Sequence, residues 1–244
     1  MISFLISALK IIILLGFLVL IHEGGHFLVA KLFKVKVNEF AIGFGPTIFT
    51  KEKGETKYAL RLIPLGGFVN MEGEEERSQK EGSFSETSIT KRIAIVAAGG
   101  LVNIIFGVLL YYIISSITLN NMHTGLIDTK DFILSIFESI KLLFTGNVTV
   151  NQMTGIVGIS DIVVNTNGIA QYLYIMALIS ASLGITNLLP LPPLDGGKIV
   201  IYLIEGIRKK PMKEETELKI QSLGFSLLII LAIFVTYNDI IRIF

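Results

Sequence analysis

The fold is decided by the stretch IIILLGFLVLIHEGGH, residues 11–26, in which two histidines and a glutamate end a long apolar run. Apart from Lys10, the chain carries no charged residue from Met1 to Ile21. A run of this length can cross a bilayer as a helix. Because ionisable groups are costly inside a membrane helix, those that occur there usually have a function.

His22 and His26 are separated by one helical turn, so both imidazoles lie on one face of a helix. They could bind one Zn²⁺ together, and Glu23 could then act on a metal-bound water. The alternative is that these are polar helix residues satisfied by their neighbours, which is harder to arrange in an apolar span. The spacing therefore predicts a zinc site within a membrane helix.

The composition excludes several classes of protein. Of the 244 residues, 52% are hydrophobic and only 17% are charged, and the mean hydropathy is +0.69, which is too apolar for an ordinary soluble domain. The net charge of +1 indicates no nucleic-acid partner. Cysteine is absent, which excludes disulfides and thiolate ligands and leaves His, Asp and Glu to bind a metal.

The expected fold class is an α-helical polytopic membrane protein with about four transmembrane helices and a membrane-associated β region after the first. The first span lacks the basic start and cleavage site of a signal peptide, so we expect it to be retained. The four apolar stretches that could cross the bilayer are Ile2 to Ile21 or a few residues further, Ile93 to Ile114, Tyr172 to Leu194, and Leu223 to Tyr237.

The basic residues predict the orientation in the membrane. Of the 21 Lys and Arg residues, 17 fall in the segments Lys31 to Arg92 and Asp195 to Gln221, which should therefore face the cytosol. Both termini would then lie outside, and the His22 motif would lie at the cytosolic end of the first span. The basic turn Arg208 to Lys213 is expected to anchor the chain at the lipid headgroups.

Val35 to Gly73 has the Gly, Pro and β-branched composition of a sheet. Thr47 to Lys51 and Thr56 to Ile63 predict a hairpin around Gly54, with Thr56 to Ile63 as an edge strand that could hold an unwound substrate. The segments Ala41 to Phe44 and Leu65 to Val69 could enter the membrane, and a cytosolic loop with a hairpin is the alternative. Glu72 to Glu86 is expected to be a mobile linker.

On the outer side, apolar residues recur at helical spacing from Phe132 to Phe144, with Asp131, Glu138 and Lys141 opposite. This segment is too short to span, so it predicts an amphipathic helix in the outer interface, with a soluble core helix as the alternative.

The predicted segments of the chain are 1–34 with the first span, 35–90 with the β region and linker, 91–117 with the second span, 118–170 outside, 171–221 with the third span and a cytosolic stretch, and 222–244 with the fourth span.

A catalytic zinc usually has three protein ligands, so His22 and His26 need a partner. The candidate is Asp195, which follows the segment NLLPLPP at 187–193, whose three prolines break the helix just before the carboxylate. The alternative is a proline-rich exit turn in which Asp195 caps the following helix. Gly24 and Gly25 are unusual in a helix interior, and close packing of another backbone would explain them.

The His22 and Asp195 motifs resemble those of the site-2 protease family of intramembrane zinc metalloproteases, and most closely its bacterial regulator-of-sigma-E protease branch. Residues 40–46 and 63–69 resemble the β region of that branch, and residues 98–103 resemble its second span, with Gly100 where proline is common. The resemblance implies that the zinc ligands are His22, His26 and Asp195, that Glu23 is the base, and that Asn103 and Asn187 contact the substrate or the oxyanion. Hydrogen bonding between helices is the alternative for Asn103.

The resemblance implies cleavage of peptide bonds within or near the transmembrane segments of single-span membrane proteins or peptides, such as anti-sigma factors or signal-peptide remnants. A zinc-stabilised receptor would need no Glu23, and a secondary transporter would predict internal repeats that the sequence lacks. Members of the branch usually carry a PDZ domain of about 80 to 100 residues between the second and third spans. Only Ser115 to Thr129 precede the amphipathic segment, so none fits there, either by nature or because the chain is shortened.

Overall fold

The structure, a computed structural model, describes residues 2–74, 76–145 and 153–243. In chain order its elements are α1 (Ile2–Leu32), β1 (Val37–Lys53), β2 (Thr56–Met71), α2 (Ile89–Thr118), α3 (Met122–Phe144), α4 (Ile156–Val164), α5 (Gly168–Asn187), α6 (Asp195–Arg208) and α7 (Glu214–Ile243).

Four helices, α1, α2, α5 and α7, are long and apolar enough to cross a membrane. Only 11% of the apolar window of α7 is buried, and its exposed side chains include Leu227, Ile230 and Phe234. So large an apolar surface requires a lipid environment. The predicted fold class is confirmed: the protein is a multi-pass membrane protein with a small sheet after its first helix.

The ends of the spans differ from those expected. Helix α1 continues past Ile21 to Leu32, so the histidine motif lies well inside a helix. Helix α5 ends at Asn187, and the third span is therefore shorter than Tyr172 to Leu194. The reason is that the prolines after Asn187 have no backbone N–H to continue the helical hydrogen-bonding pattern.

The segment that follows is also more helical than predicted. Residues 195–208 form α6, whose N-cap is Leu194, and α7 begins at Glu214, before the predicted Leu223. In the segment between the second and third spans, α3 begins at Met122 and not at the predicted Phe132. It begins there because the Asn121 side chain accepts hydrogen bonds from the first backbone N–H groups of the helix. Helix α4 was not predicted.

The hairpin predicted around Gly54 is confirmed, with Lys53 opposite Thr56 and Lys51 opposite Tyr58. The predicted edge strand is wrong. Residues 57–60 have partners on both sides, residues 49–52 in the hairpin and residues 39–42 of β1. Within the part of the chain that the structure describes, residues 67–71 pair on one side only, with residues 37–42. The last part of β2 is therefore one open edge of the sheet, and residues 49–53, which among the described residues pair only with residues 56–60, form the other.

The chain divides into two compact units. One comprises Met1–Ile11, Ile104–Ser182 and Leu223–Phe244, and the other comprises Ile12–Asn103 and Leu183–Ser222. In the first unit the buried Asp239 carboxylate accepts hydrogen bonds from the Gly155 and Gly158 backbone N–H groups. A side chain from α7 thus satisfies N–H groups at the N-terminus of α4. Lys10 donates to Thr166 in the same unit, and Tyr111 stacks on Phe132 at 4.1 Å between ring centroids.

The second unit has its own core, which joins α1, the sheet, α2 and α6. Phe84, from the segment predicted to be a mobile linker, is buried in it, and Ser83 beside it is also buried. The prediction that Glu72 to Glu86 is a mobile linker is therefore wrong for the stretch around Phe84. The buried residues of the core are Ala30, Val35, Val37, Met71, Phe84, Ile95, Val96, Ile201, Tyr202 and Met212.

A buried charge cluster fixes the same segment to α6. The Glu205 carboxylate is 4% exposed and accepts hydrogen bonds from Arg77 and Arg92, and it also accepts one from the Met212 backbone N–H. A buried carboxylate is tolerated when it is paired and hydrogen-bonded in this way. The linker is consequently held against the helix that begins with Asp195.

Candidate metal centre

Two distant parts of the sequence converge on one point in the second unit. Helix α1 contributes His22 and His26, and the first residue of α6 contributes Asp195. His22 Nε2 lies 3.2 Å from His26 Nε2 and 3.2 Å from Asp195 Oδ2, and His26 Nε2 lies 3.4 Å from Asp195 Oδ2. The three atoms form a nearly equilateral triangle.

This triangle fits a zinc ion. Zinc binds His nitrogen at about 2.0 to 2.1 Å and carboxylate oxygen at about 2.0 to 2.2 Å in a tetrahedron, so neighbouring ligand atoms should be about 3.3 to 3.5 Å apart. The side chains are only 10 to 17% exposed, which suits a site shielded from bulk water. Two imidazoles and one carboxylate also leave a fourth position for water or substrate, as a catalytic zinc requires.

His26 is oriented by helix α2. Its Nδ1 lies 2.9 Å from the Ile95 carbonyl oxygen, and a carbonyl can only accept a hydrogen bond. The imidazole must therefore carry a proton on Nδ1, which leaves the Nε2 lone pair directed at Asp195 and His22. This is the tautomer that binds a metal through Nε2.

Asp195 is positioned by the turn that the prolines create. A Cβ at Gly196 would overlap the Leu188 and Leu189 carbonyls, so the close return of the chain onto α6 requires glycine there. Burial by itself raises the pKa of the Asp195 carboxyl, but its close approach to the His22 and His26 imidazoles outweighs burial, and this pKa lies well below its usual range. The carboxylate is therefore ionised, as a zinc ligand must be.

A cavity of about 390 Å³ opens beside the three candidate ligands. Glu23 also lines it, and a Cβ at Gly67 would lie 3.4 Å from Glu23 Cγ, so the end of β2 lies directly against this glutamate. The residues that line the cavity are His22, Glu23, His26, Phe68, Val69, Asn70, Met71, Glu74, Val96, Asp195 and Lys198. The open edge at the end of β2 thus forms one wall of the site.

Sequence analysis missed the two charged lining residues Glu74 and Lys198, which form an ion pair with 2.8 Å between Nζ and Oε1. Burial lowers the pKa of the Lys198 ammonium, but the Glu74 carboxylate outweighs this and holds that pKa above its usual range. The one available signal was spacing, because Lys198 follows Asp195 by about one turn of α6 and therefore lies on the same face.

The two asparagines predicted to contact substrate lie elsewhere. Asn103 is fully buried on α2, and its Nδ2 is 3.5 Å from His22 Nδ1. Asn187 is the last residue of α5 and is partly buried. Among the described residues that line the cavity, neither asparagine is present. The structure thus brings His22, Glu23, His26 and Asp195 together and leaves a direct substrate contact by the asparagines a prediction.

Close backbone packing was the explanation offered for Gly24 and Gly25. It holds for Gly25, where a Cβ would lie 2.6 Å from the Ala98 carbonyl oxygen. Apart from the neighbouring backbone of α1 itself, no described atom lies within 4 Å of a Cβ at Gly24. On the opposite helix, a Cβ at Gly99 would overlap the His26 imidazole and lie 2.9 Å from His22 Cε1. Glycine at 25 and 99 therefore lets α2 approach the histidines.

The contrast between Gly99 and Gly24 gives a matched test. Gly99→Ala should lower zinc affinity about 5- to 160-fold, because relieving such an overlap costs about 1 to 3 kcal/mol and displaces the imidazoles. Gly24→Ala adds the same methyl group to open space and should retain zinc. Competition with a chelator, on both purified proteins in detergent, measures the difference. Equal zinc affinity in the two variants would contradict the close approach of α2.

Comparison with known proteins gives a consistent result. The family model described as peptidase family M50 matches residues 10–231. A Clostridium acetobutylicum protein that bears a zinc metalloprotease name is 27% identical, over 94% of this chain and 96% of its own length. Zinc metalloprotease RasP of Geobacillus kaustophilus is 24% identical over the full length of both chains, and RasP of Shouchella clausii is 44% identical over 45% of this chain and 27% of its own length.

The alignments also show that these relatives are longer. The one with the Clostridium protein runs over 325 positions and includes 94% of the 244 residues of this chain, so at least 81 of its positions have no residue of this chain. The one with Geobacillus RasP runs over 423 positions and covers both chains entirely, so the additional residues lie inside that relative. The family match across most of the sequence, together with the His-His-Asp triangle, shows that this chain belongs to peptidase family M50, the site-2 protease family, and is a zinc-dependent metalloprotease.

Proposed function

We propose that this protein is an intramembrane protease in which His22, His26 and Asp195 bind the zinc and Glu23 is the general base. The observation that carries the proposal is the triangle of ligand atoms with edges of 3.2 to 3.4 Å beside a cavity that Glu23 also lines. Bound zinc would acidify a water molecule and polarise the scissile carbonyl.

Glu23 is suited to move the proton. It follows His22 directly in α1, so it lies beside the ligand triangle and not within it. Its carboxylate would accept a proton from the attacking water and later donate it to the amide nitrogen of the departing fragment. A zinc-stabilised receptor would need the three ligands but would have no use for this carboxylate.

The proposed substrates are single-span membrane proteins or membrane peptides. The ligands His22 and His26 belong to a helix with an apolar span of Leu5–Leu32, so the cavity opens at membrane depth or near its edge. A substrate helix pairs its own backbone groups, and it must unwind before a carbonyl can be attacked. Anti-sigma factors and signal-peptide remnants meet this description equally well.

The open edge of β2, residues 67–71, is the proposed place where the unwound substrate binds. Phe68, Val69 and Asn70 line the cavity and pair on one side only among the described residues. An extended peptide could add to this edge as a further strand, through backbone hydrogen bonds that do not depend on its sequence. Pairing at this edge would direct the peptide bond toward the ligands and Glu23.

The membrane orientation is proposed from the basic residues. With 17 of the 21 Lys and Arg in the segments Lys31 to Arg92 and Asp195 to Gln221, the active site would lie toward the cytosolic side of the cell membrane and both termini outside.

The first test separates metal binding from catalysis. We expect the purified protein to hold about one zinc, and His22→Ala, His26→Ala and Asp195→Ala should each lower the zinc content. Glu23→Gln should abolish cleavage of a membrane substrate and keep the zinc, because it removes only the base. Zinc content is measured by elemental analysis and cleavage by gel shift of a tagged substrate. Full zinc in Asp195→Ala would remove that residue from the ligand set, and cleavage by Glu23→Gln would remove Glu23 from catalysis.

The second test concerns orientation and uses the absence of native cysteine. A cysteine at the exposed Lys80 should be shielded from an impermeant thiol reagent in intact cells, whereas one at the exposed Lys130 should be labelled. Lys130 is a better reporter than its neighbour Thr129, which is buried. Labelling of both positions after cell lysis is the control. The reverse pattern in intact cells would place the active site on the outer face.

The third test concerns the open edge of the sheet. Neighbouring residues of an edge strand alternate between an N–H that points outward and one that bonds to the sheet. Proline variants of Phe68, Val69 and Asn70 should therefore fall into two groups: one loses folding and zinc, and the other keeps both but cleaves a helical substrate much less than the matching alanine variant.

The loss should be smaller for a substrate already unwound by its own Gly or Pro residues, since less ordering remains to be done on binding. Proline substitutions at residues 57–60 serve as a comparison and should only disrupt the sheet, because these residues are paired on both sides. Equal cleavage by folded proline and alanine variants at residues 68–70 would show that the substrate binds elsewhere.

A further inference from the structure

We infer that Asn103 is a positioning residue for His22 whose amide oxygen accepts a hydrogen bond from Nδ1–H of that imidazole, and that it does not bind the substrate. The inference rests on the proposed role of His22 as a zinc ligand. It assigns to a buried asparagine in the second span the task that a carboxylate or backbone carbonyl performs at many other zinc sites.

The first step concerns the tautomer of the two histidines. Both present Nε2 to the metal position, so in the zinc-bound protein each imidazole carries its proton on Nδ1 and needs an acceptor there. The acceptor for His26 is the Ile95 carbonyl oxygen at 2.9 Å. The group that faces Nδ1 of His22 is the side-chain amide of Asn103 at 3.5 Å.

The second step concerns why an amide suits this position. An asparagine carries a donor and an acceptor of nearly the same shape, and a half-turn of its amide exchanges Nδ2 and Oδ1. It can donate to a bare Nδ1 when His22 holds its proton on Nε2, and it can accept from Nδ1–H when Nε2 binds zinc. Asn103 can therefore pair with His22 both before and after metal binding.

The third step concerns location. Ile95, Gly99 and Asn103 follow one another at intervals of four residues, so they form one face of α2. Ile95 accepts from His26, Gly99 provides room for both imidazoles, and Asn103 faces His22. Asn103 is 0% exposed and lies outside the group of residues that line the cavity. A substrate in the cavity would thus meet Glu23 and the open edge of the sheet, and the asparagine would lie behind a ligand.

The experiment measures zinc affinity by chelator competition on the full chain in detergent, with His22→Ala first. A tenfold or larger loss in His22→Ala is what the proposed function requires, and without that loss the proposed function itself fails. Asn103→Leu, which removes both hydrogen-bonding groups at similar volume, should then bind zinc about 10- to 100-fold more weakly. Asn103→Asp supplies an acceptor that cannot donate, and it should bind zinc at least as tightly as the unmodified protein.

Ser180→Ala is the matched control, because Ser180 is another fully buried polar residue in a candidate span and lies in the other unit. Its zinc affinity should be unchanged. Cleavage by Asn103→Asp provides a second readout: an oxyanion needs a donor, so a role in transition-state stabilisation predicts severe loss of kcat in this variant, whereas a positioning role predicts that most activity remains.

Undiminished zinc affinity in Asn103→Leu, with kcat lost in both variants, would overturn the inference and return Asn103 to the substrate side. If Asn103→Leu does not fold, Asn103→Asp decides alone. A tenfold or greater loss of zinc affinity in the folded aspartate variant would then overturn the inference, and retained affinity with retained cleavage would support it.

Discussion

The structure depends on bringing three metal-ligand atoms within 3.2 to 3.4 Å of one another where little bulk water is present. In such a place an unpaired carboxylate is costly, and two imidazoles lose their hydrogen bonds to water. The convergence is therefore stable only if each group has a fixed partner. The arrangement meets this condition with the Ile95 carbonyl for His26, with the amide of Asn103 facing His22, and with both histidines against Asp195.

Helix α2 is the support for this arrangement, although it contributes no ligand. Its approach to α1 depends on Gly25 and Gly99, where any larger residue would meet the Ala98 carbonyl or the imidazoles. The asparagine one turn beyond Gly99 then faces His22 at a depth where few other polar groups could be tolerated. The second span thus orients the proposed zinc ligands. The same few positions explain why its sequence includes small residues and one amide.

The β region and the segment after it serve the site in a different way. The sheet packs its central part between two neighbours and leaves residues 67–71 open beside Glu23. The segment that follows is anchored by Phe84 in the core and by the ion pairs of Arg77 and Arg92 with the buried Glu205. Glu74, in the same segment, forms an ion pair with Lys198 at the cavity wall. The proposed cleavage of helical substrates would need such a rigid wall, since an unwound substrate has to be held or it returns to a helix.

The sequence by itself determined the membrane class, the four spans, the hairpin around Gly54, and the set His22, Glu23, His26 and Asp195, because hydropathy, turn composition and ligand spacing are local properties of the chain. The tertiary structure alone decided which strand has an open edge, that Phe84 belongs to the core, that Asn103 lies behind His22, and that Glu74 meets Lys198. These features arise where residues distant in sequence pack together. A residue's pattern along one element does not reveal which group from another element it will meet.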